Sequence, residues 1–211
     1  MKIAIGQIGT DADKTANFAL VAQAVITAAM NHARLILFPE ATMRAFGTGR
    51  LDEIAEPLDG PFVSALAGLA KNYNIAIVVG MFRPADQHVV SGRTINRVYN
   101  TTVAICPDGT VVHYDKIHTY DAFGYRESDT IKPGKNLVTF TYNTVTFGLA
   151  TCYDLRFPQQ FRQLARRGAD IILVPTSWAD GPGKLQQRQL LIRARALDAT
   201  SWVIAADQTH H

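Results

Sequence analysis

The stretch Val145-Thr-Phe-Gly-Leu-Ala-Thr-Cys-Tyr-Asp-Leu-Arg-Phe-Pro158 joins a predicted strand to a predicted helix through a cysteine. Residues 145–151 are mostly apolar or β-branched, which is typical of a buried strand. Cys152 follows the strand, and Pro158 suits the first turn of a helix. A strand that runs into a helix is the repeating unit of α/β proteins. This stretch therefore predicts an α/β fold with a reactive side chain where a strand ends.

The same alternation of strands and helices continues on both sides of this stretch. Apolar runs predict further strands at residues 3–8, 35–38, 75–82, 98–106, 111–114, 138–142, 170–175 and 202–206. Apolar residues at helical spacing predict helices around residues 18–29, 62–73, 157–165 and 184–200. In the last of these helices, the spacing places Leu190, Ala194 and Leu197 toward the core. The whole pattern predicts helices packed over mostly parallel sheets.

Two turns and two long loops modify this pattern. Pro107-Asp108-Gly109 and Asn143-Thr144 predict hairpins, so the sheets should also contain antiparallel strands. Residues 40–59 and 115–136 are predicted as loops, and loops of that length in a compact domain are usually functional. We expect a single α/β domain over residues 1–211, without a linker or an internal repeat.

Composition and charge disfavour several classes of protein. Hydrophobic residues make up 47% of the 211 residues and charged residues 18%, as expected of a packed globular domain. The net charge is +3 and no basic run exceeds Arg166-Arg167, which disfavours nucleic-acid binding. No apolar run approaches the ~18 residues that would span a membrane, and residues 1–6 predict a strand and not a signal peptide. We therefore expect a cytoplasmic protein that binds neither nucleic acid nor membrane.

The chain has two cysteines, Cys106 and Cys152. They form no CxxC pair, and no histidine lies at zinc-ligand spacing from them. We therefore expect neither a disulfide framework nor a metal site. Cys106 lies in the apolar segment 103–106 and is interpreted as a small buried hydrophobic residue, which leaves Cys152 as the candidate for chemistry.

Three reactive side chains, those of Glu40, Lys116 and Cys152, come directly after predicted strands. Ligands of α/β sheets collect at the carboxyl ends of strands, so these side chains converge if their strands are neighbours. A carboxylate can take the proton of a thiol as the sulfur attacks, and an ammonium can stabilise the oxyanion that forms. This set suits hydrolysis of an amide-like carbon and needs neither metal nor cofactor. Each residue alone also fits an ordinary structural role, and the spacing alone supports both interpretations about equally.

Three short segments resemble the signature segments of the nitrilase, or carbon–nitrogen hydrolase, superfamily. They are Phe38-Pro39-Glu40, Tyr114-Asp115-Lys116-Ile117-His118 and Cys152-Tyr153-Asp154-Leu155-Arg156-Phe157-Pro158, in the order found in the family. The likeness extends from Ile3 to about Gln208. One motif of this length is moderately specific, but three in order over nearly the whole chain are strong evidence of relationship.

The resemblance implies an α/β fold of four layers, an αββα sandwich with mixed β-sheets. It implies Glu40 as general base, Lys116 as oxyanion stabiliser and Cys152 as nucleophile, with no cofactor. Family members usually carry a second glutamate after the lysine, and Glu127 is the candidate to position Lys116 and the substrate, although composition alone suggests a surface residue. The backbone N–H of Tyr153 is the candidate second oxyanion donor. The family likeness also implies a homodimer or a larger homo-oligomer.

Within the superfamily, residues 120–128 and 152–158 look most like the amidase branch. That branch includes omega-amidases and deaminated-glutathione amidases, which act on amides of small carboxylic acids. The resemblance therefore implies hydrolysis of a small linear amide through a thioester on Cys152, with release of ammonia and a carboxylic acid.

Several side chains are candidates for binding this substrate. Arg44, Arg126 and Arg156 have the planar fork that binds a carboxylate, although Arg156 is predicted more strongly as a partner of Asp154 or of the late helix. Trp178 follows a predicted strand and either walls the pocket or packs at its rim. A bound carboxylate and an aromatic wall are therefore candidate features of the site, beside the structural roles of the same residues.

The sequence departs from the family pattern after residue 208. Family members continue for several strands, so we expect the last strands of the fold to be missing, whether or not His210-His211 is native. The alternatives are a catalytically silent, shortened relative and a relative that acts on N-carbamoyl compounds or nitriles. A nucleotide-binding module is disfavoured because residues 47–52 lack the third glycine of its loop. A papain-like Cys–His enzyme is disfavoured because His113 and His118 precede the cysteine.

Overall fold

The structure, a computed structural model, describes residues 1–209, so His210-His211 lies outside the described residues. Within this range the chain forms the four predicted helices: α1 Lys14–Met30, α2 Pro61–Tyr73, α3 Pro158–Arg166 and α4 Lys184–Ala199. Local chemistry sets their starts, since the Asp13 carboxylate accepts the N–H groups of Thr15 and Ala16 at the first turn of α1. No helix in residues 1–209 is both long and apolar enough to cross a membrane.

The strands of residues 1–209 form two main sheets and one small hairpin. They are β1 Ile3–Ile5, β2 Leu35–Leu37, β3 Ala76–Val90, β4 Arg93–Ile105, β5 Val111–Asp115, β6 Asp121–Ala122, β7 Tyr125–Arg126, β8 Thr139–Tyr142, β9 Val145–Leu149, β10 Ile171–Thr176 and β11 Trp202–Asp207. The first sheet has the order β1-β2-β3-β4-β5 and the second the order β11-β10-β9-β8, while β6 pairs with β7.

Both sheets contain parallel and antiparallel strands, as the predicted hairpins require. In the first sheet, β1, β2 and β3 are parallel, whereas β4 is antiparallel to both β3 and β5. β5 therefore runs in the same direction as β2, and their carboxyl ends lie at the same edge. In the second sheet, β9, β10 and β11 are parallel, and β8 joins β9 through Asn143-Thr144. Asn143 and Thr144 have φ of 50° and 67°, as a tight hairpin turn requires.

Three apolar cores separate four layers of structure. The first core lies between the helices α1 and α2 and the first sheet, and it includes Val25 and Leu66. The second core lies between the two sheets and includes Leu37 and Phe147. The third core, around Ile172, lies between the second sheet and the helices α3 and α4. The predicted αββα sandwich is thus confirmed, and any site built from both sheets must lie at the edge of the second core.

The prediction for the inner face of α4 was wrong. Leu190 and Leu197 are 68% and 82% exposed, and the buried positions of α4 belong to Arg195 and Ala199. Arg195 can be buried because its Nη1 atom donates to the Leu155 oxygen at 2.9 Å. The leucine spacing predicts the wrong face because a long polar side chain with a backbone partner takes the inner position.

The strands β3 and β4 are longer than the sequence pattern predicts. They pair as one antiparallel hairpin that turns at Ser91-Gly92, with an irregular register between Pro84 and Gln87. The residues that extend both strands are largely polar and half-buried or exposed, so they lack the alternation from which a strand is predicted. Backbone pairing with a neighbouring strand extends the hairpin where side-chain pattern gives no signal.

Candidate active site

The Glu40 side chain lies in the turn that follows β2 and is 1% exposed. A Cβ atom on Gly80 of β3 would lie 2.9 Å from the Glu40 Cα and 2.7 Å from the Ala41 nitrogen, so only glycine allows this close contact. Glu40 Oε2 accepts the N–H of Ser177 at 2.9 Å, and Gln208 Nε2 donates to the Glu40 backbone oxygen at 2.8 Å. Because Ser177 and Gln208 follow strands of the second sheet, these bonds fix Glu40 between the two sheets.

Lys116 directly follows β5 and is 2% exposed. Its Nζ atom donates to Glu40 Oε1 at 3.0 Å and to the two carboxylate oxygens of Glu127 at 3.0 and 2.9 Å. Glu127 follows β7 and is also 2% exposed, and its Oε2 accepts the N–H of Tyr120 at 2.5 Å. One buried ammonium therefore lies between two buried carboxylates, one on each side.

Cys152 begins a short 3₁₀ turn, Cys152–Arg156, three residues after the end of β9. Its φ is +44°, in the left-handed region that is costly for residues other than glycine. A capping box holds the turn, because the Asp154 carboxylate accepts the Thr151 N–H at 2.8 Å while the Thr151 side chain accepts the Asp154 N–H. The thiol therefore stands on a strained turn that its neighbours keep in place.

A cavity of about 160 Å³ brings the predicted catalytic groups together. Glu40, Lys116, Glu127 and Cys152 all line it. The rest of the wall combines aromatic, cationic and small residues, namely Phe46, Tyr120, Tyr125, Tyr153, Arg156, Ser177, Trp178, Ala179 and Lys184. Both predicted long loops contribute lining residues, and β2, β5 and β9 all end beside the same cavity.

Burial and neighbouring charges set the protonation of these groups. Burial raises the pKa of Glu40, Lys116 opposes that rise, and Glu127 adds to it. Burial favours the neutral form of Lys116, but Glu127 and Glu40 outweigh it and hold its pKa well above the ordinary value. Burial, and then the Glu40 carboxylate, raise the pKa of the Cys152 thiol well above its ordinary value. The resting site therefore holds a neutral thiol and a charged lysine.

Asn100 in β4 is a site residue that the sequence analysis did not identify. It is 1% exposed, and its Nδ2 donates to Oε1 of Glu40 at 2.7 Å and to Oε1 of Glu127 at 3.3 Å. Its backbone oxygen accepts the N–H of Lys116 at 2.9 Å. One amide and one ammonium thus hold the same two carboxylate oxygens. The only signal in the sequence is a polar side chain within a predicted strand.

The residues predicted to bind substrate divide between the cavity wall and the surface. Tyr153 and Trp178 line the cavity. Arg126 does not line it, and its side chain is 72% exposed with Nε 3.5 Å from the Asp129 carboxylate. Arg44 donates from Nε to the backbone oxygen of Ala12, in the segment before α1, at 3.0 Å and does not line the cavity. Of the three candidate arginines, Arg156 is therefore the one that reaches the cavity.

The Arg156 guanidinium lies over the rings of Tyr153 and Trp178, at 5.6 and 5.8 Å from their centres. It donates to the neutral side-chain amide of Gln187 in α4 at 2.6 Å, so it contacts the late helix without the ion pair that the sequence analysis favoured, and Asp154 is bound by other donors. Among the described residues, no group accepts from Arg156 Nε or Trp178 Nε1. Two residues that line the cavity thus each carry a buried donor without a partner.

Comparison with known families agrees with this geometry. The model of the family described as carbon-nitrogen hydrolase matches residues 2–211. This chain belongs to the carbon–nitrogen hydrolase family. The carbon–nitrogen hydrolase is 44% identical to a hydrolase of Mycobacterium tuberculosis, in an alignment that covers 99% of this chain and 72% of that protein. It is 31% identical to a deaminated glutathione amidase of Escherichia coli O157:H7, over 99% of this chain and 78% of that protein.

Solved amidase structures share the fold of this carbon–nitrogen hydrolase. An amidase from Nesterenkonia sp. matches it with a TM-score of 0.82 and 25% identity, over 99% of this chain and 76% of that chain. A mutant of the Nesterenkonia sp. AN1 amidase matches with a TM-score of 0.78 and 25% identity, over 99% and 78% of the two chains. That mutant shows the product of Michael addition of acrylamide at its active-site cysteine. The resemblance to the amidase branch of the nitrilase superfamily is confirmed.

Proposed function

We propose that this carbon–nitrogen hydrolase cleaves the C–N bond of a small linear amide through a thioester on Cys152. The observation that carries the proposal is the convergence of Glu40, Lys116 and Cys152 on one cavity of about 160 Å³. These are the base, the cation and the nucleophile that acyl transfer from an amide requires.

The proposed reaction begins when the Cys152 sulfur attacks the amide carbon. Glu40 takes the thiol proton as the C–S bond forms, since the raised pKa of Cys152 keeps the resting thiol neutral. The tetrahedral intermediate collapses as Glu40 gives the proton to the leaving nitrogen, and ammonia departs. Water then attacks the thioester and loses its proton to Glu40. The C–S bond breaks, the sulfur is reprotonated, and the carboxylic acid leaves.

Lys116 and the backbone N–H of Tyr153 are the proposed donors to the oxyanion. Lys116 keeps its charge because two buried carboxylates raise its pKa, so it can stabilise the negative oxygen in each tetrahedral intermediate. Glu127 holds the ammonium through both carboxylate oxygens, which makes it a positioning residue for Lys116. Removal of a single oxyanion donor typically costs about 10²–10³ in rate.

The proposed substrates are amides of small carboxylic acids. The cavity of about 160 Å³ is below the roughly 300–1,000 Å³ of pockets for drug-sized ligands, so a short acyl chain suits it. Arg156 lines the cavity, and its guanidinium is the proposed partner of a carboxylate at the far end of that chain. An omega-amidase of Danio rerio is 30% identical to this chain, in an alignment that covers 97% of this chain and 73% of the omega-amidase. This likeness supports amides of small carboxylic acids as the substrate class.

A trapped acyl enzyme tests this function. The enzyme is quenched while it turns over the monoamide of a short dicarboxylic acid. It is then digested with a protease, and the masses of its peptides are measured by mass spectrometry. We expect an acyl adduct on Cys152 and no turnover by Cys152→Ala. Cys106→Ala is the matched control, because Cys106 lies between the two sheets, where burial raises its pKa to about 11. An undiminished rate in Cys152→Ala would refute the proposal.

The alternatives give different results in the same assays. A catalytically silent relative would release no ammonia, and its Cys152 would react with iodoacetamide no faster than an ordinary exposed thiol. A relative that prefers N-carbamoyl compounds or nitriles would release ammonia from those compounds faster than from dicarboxylic acid monoamides. An ammonia-release screen across these classes therefore decides the substrate.

We also propose that the protein assembles as a homodimer through the outer face of α4. Leu190 and Leu197 are seven residues apart on this helix, hence on one face, and are 68% and 82% exposed. Trp202, at the start of the neighbouring β11, is 77% exposed. Large apolar side chains grouped in this way are typical of protein interfaces.

A further inference from the structure

The Asp154 carboxylate is fully buried, and the proposed reaction does not use it. It accepts four hydrogen bonds: from Tyr114 Oη at 2.6 Å, from the Thr151 N–H at 2.8 Å, and from the N–H and ring Nδ1 of His118 at 3.1 and 2.7 Å. A buried carboxylate with a full set of donors is expensive to desolvate but strongly orders the groups that bind it. Asp154 therefore orders the segments that carry Tyr114, His118 and Thr151.

Two of the three residues that donate to Asp154 lie on either side of Lys116 in the sequence. Tyr114 precedes Lys116 by two residues in β5, and His118 follows it by two residues. Asp154 itself lies two residues after Cys152, in the turn that follows β9 of the second sheet. Three of these bonds, from Tyr114 and His118, thus join the segment that carries the ammonium to the turn that carries the thiol, across the space between the two sheets, while the bond from Thr151 lies within that turn.

The hydrogen bonds of Asp154 also hold the backbone of the turn Cys152–Arg156 in its unusual conformation. Through the capping box with Thr151, the carboxylate closes the turn in which Cys152 has φ of +44°. The Tyr114 hydroxyl is fixed on its other side, since it accepts the N–H of Ile117 at 3.0 Å and a hydrogen bond from Gln160 Nε2 at 2.9 Å. Neither segment can shift relative to the other without breaking several buried hydrogen bonds.

We infer that Asp154 is a positioning residue of the reaction, because it fixes the Cys152 sulfur relative to the Lys116 ammonium. This inference rests on the proposed function. The attacking sulfur and the oxyanion donor must reach one carbonyl group together, and a misplacement of about 1 Å in such a pair can cost 10²-fold in rate. Binding of the amide itself depends less on this separation, so the effect belongs in the chemical steps.

Two substitutions test the inference. Asp154→Asn keeps the shape of the side chain but turns one acceptor oxygen into a donor, which then opposes the N–H and O–H donors around it. Tyr114→Phe removes one of the four bonds and leaves the carboxylate in place. For Asp154→Asn we expect kcat per reactive Cys152 thiol to fall by about 10–100-fold with KM changed less than threefold. For Tyr114→Phe we expect a fall in kcat of about threefold to tenfold.

The readouts separate positioning from a merely structural role. Chloroacetamide, which combines an amide with an alkylating carbon, counts the reactive thiols and gives the alkylation rate of Cys152. Asp108→Asn is the matched control, because Asp108 also binds a backbone N–H two residues away, in the β4–β5 turn, and its activity should equal that of the parent. Values of kcat per reactive thiol and alkylation rates within twofold of the parent, with only the thermal midpoint lowered, would overturn the inference.

The test also distinguishes failure of this inference from failure of the proposed function. If the parent enzyme hydrolyses no amide, the function fails, and the alkylation rates of Cys152 in the parent and the variants still decide the positioning role. If Asp154→Asn does not fold, Tyr114→Phe decides alone. In either case we expect slower alkylation at Cys152 in the variant, and an unchanged rate contradicts the inference.

Discussion

At the scale of single residues, the site depends on three charges buried together. Glu40 and Glu127 share one ammonium, that of Lys116, and Asn100 donates to both carboxylates. Burial of the Glu40 carboxyl raises its pKa, Lys116 opposes the rise, and the neighbouring Glu127 carboxylate adds to it. The result is a carboxylate that is a better base than an exposed one and that lies beside a thiol in need of a base.

The pH dependence of turnover follows from the direction of this shift. Glu40 must be ionised to take a proton, and its pKa is raised above the ordinary 4.5, so activity should be lost on acidification at a higher pH than an ordinary glutamate allows. The acid limb of the kcat/KM profile measures the base of the free enzyme. Lys116 should produce no loss up to its own ordinary pKa of 10.5, because its pKa lies well above that value.

Two variants identify the group behind the acid limb. Glu40→Gln should lower kcat/KM at least 10²-fold at all pH values. Glu53→Gln changes a side chain that is 61% exposed, and it should leave the acid limb of the kcat/KM profile unchanged. Circular dichroism over the same pH range separates loss of activity from unfolding. An acid limb at or below pH 4.5 would contradict the assignment of Glu40 as base.

At the scale of elements, the carboxylate is placed by a close contact between β3 and the turn after β2. Gly80 has no Cβ, and any Cβ there would lie 2.7 Å from the backbone nitrogen of Ala41. The backbone of this turn also bonds to β3, since Gly80 donates to Pro39 at 3.2 Å and accepts from Met43 at 3.3 Å. The position of Glu40 therefore depends on β3, although β3 itself contributes none of the candidate catalytic side chains.

Substitution of this glycine should affect both stability and catalysis. Gly80→Ala forces apart two backbone segments, and we expect a loss of about 1–3 kcal/mol in the free energy of unfolding, with a fall in kcat as Glu40 moves. Gly68→Ala in α2 is the matched control, since a Cβ there meets no atom within 4 Å and should stabilise the helix by about 0.5–1 kcal/mol. Urea unfolding measures the change in stability, and kcat measures the change in catalysis. Equal stability of Gly80→Ala and Gly68→Ala would contradict the close contact between Gly80 and the turn that carries Glu40.

At the scale of the whole molecule, the site exists only where the two sheets meet. Glu40 and Lys116 follow strands of the first sheet, and Cys152 follows a strand of the second. The apolar core between the sheets, which includes Phe147 and Leu173, therefore sets the distance between the Cys152 thiol and the Glu40 carboxylate. Each outer layer of helices covers the outer face of one sheet.

The outer face of α4 gives a prediction about assembly. The parent protein should sediment as a dimer at tens of micromolar, and Leu197→Glu should sediment as a monomer, because a charge on this face would be buried at the interface. Met30→Glu is the matched control, at a residue 76% exposed on α1 in the opposite outer layer, and it should remain a dimer. A monomeric parent protein, or a dimeric Leu197→Glu variant, would contradict the proposal.

The sequence by itself determined the alternation of strands and helices, the two short hairpins and the three reactive side chains at strand ends. These features are local, because strand and helix periodicity, turn residues and short motifs are each encoded within a few consecutive residues. The resemblance of three such motifs to one family also predicted the αββα layers. The loops at residues 40–59 and 115–136 were predicted as functional, and both line the cavity.

Only the tertiary structure decided which groups share the buried ammonium, which arginine reaches the cavity and which face of α4 is buried. Asn100 is 60 residues from Glu40 and Asp154 is 40 residues from Tyr114, and their contacts depend on strand register and on the packing of one sheet against the other. Local periodicity carries no information about such partners. The sequence could therefore name the candidate reacting groups, whereas the groups that hold them in place are defined only by the packing of the two sheets.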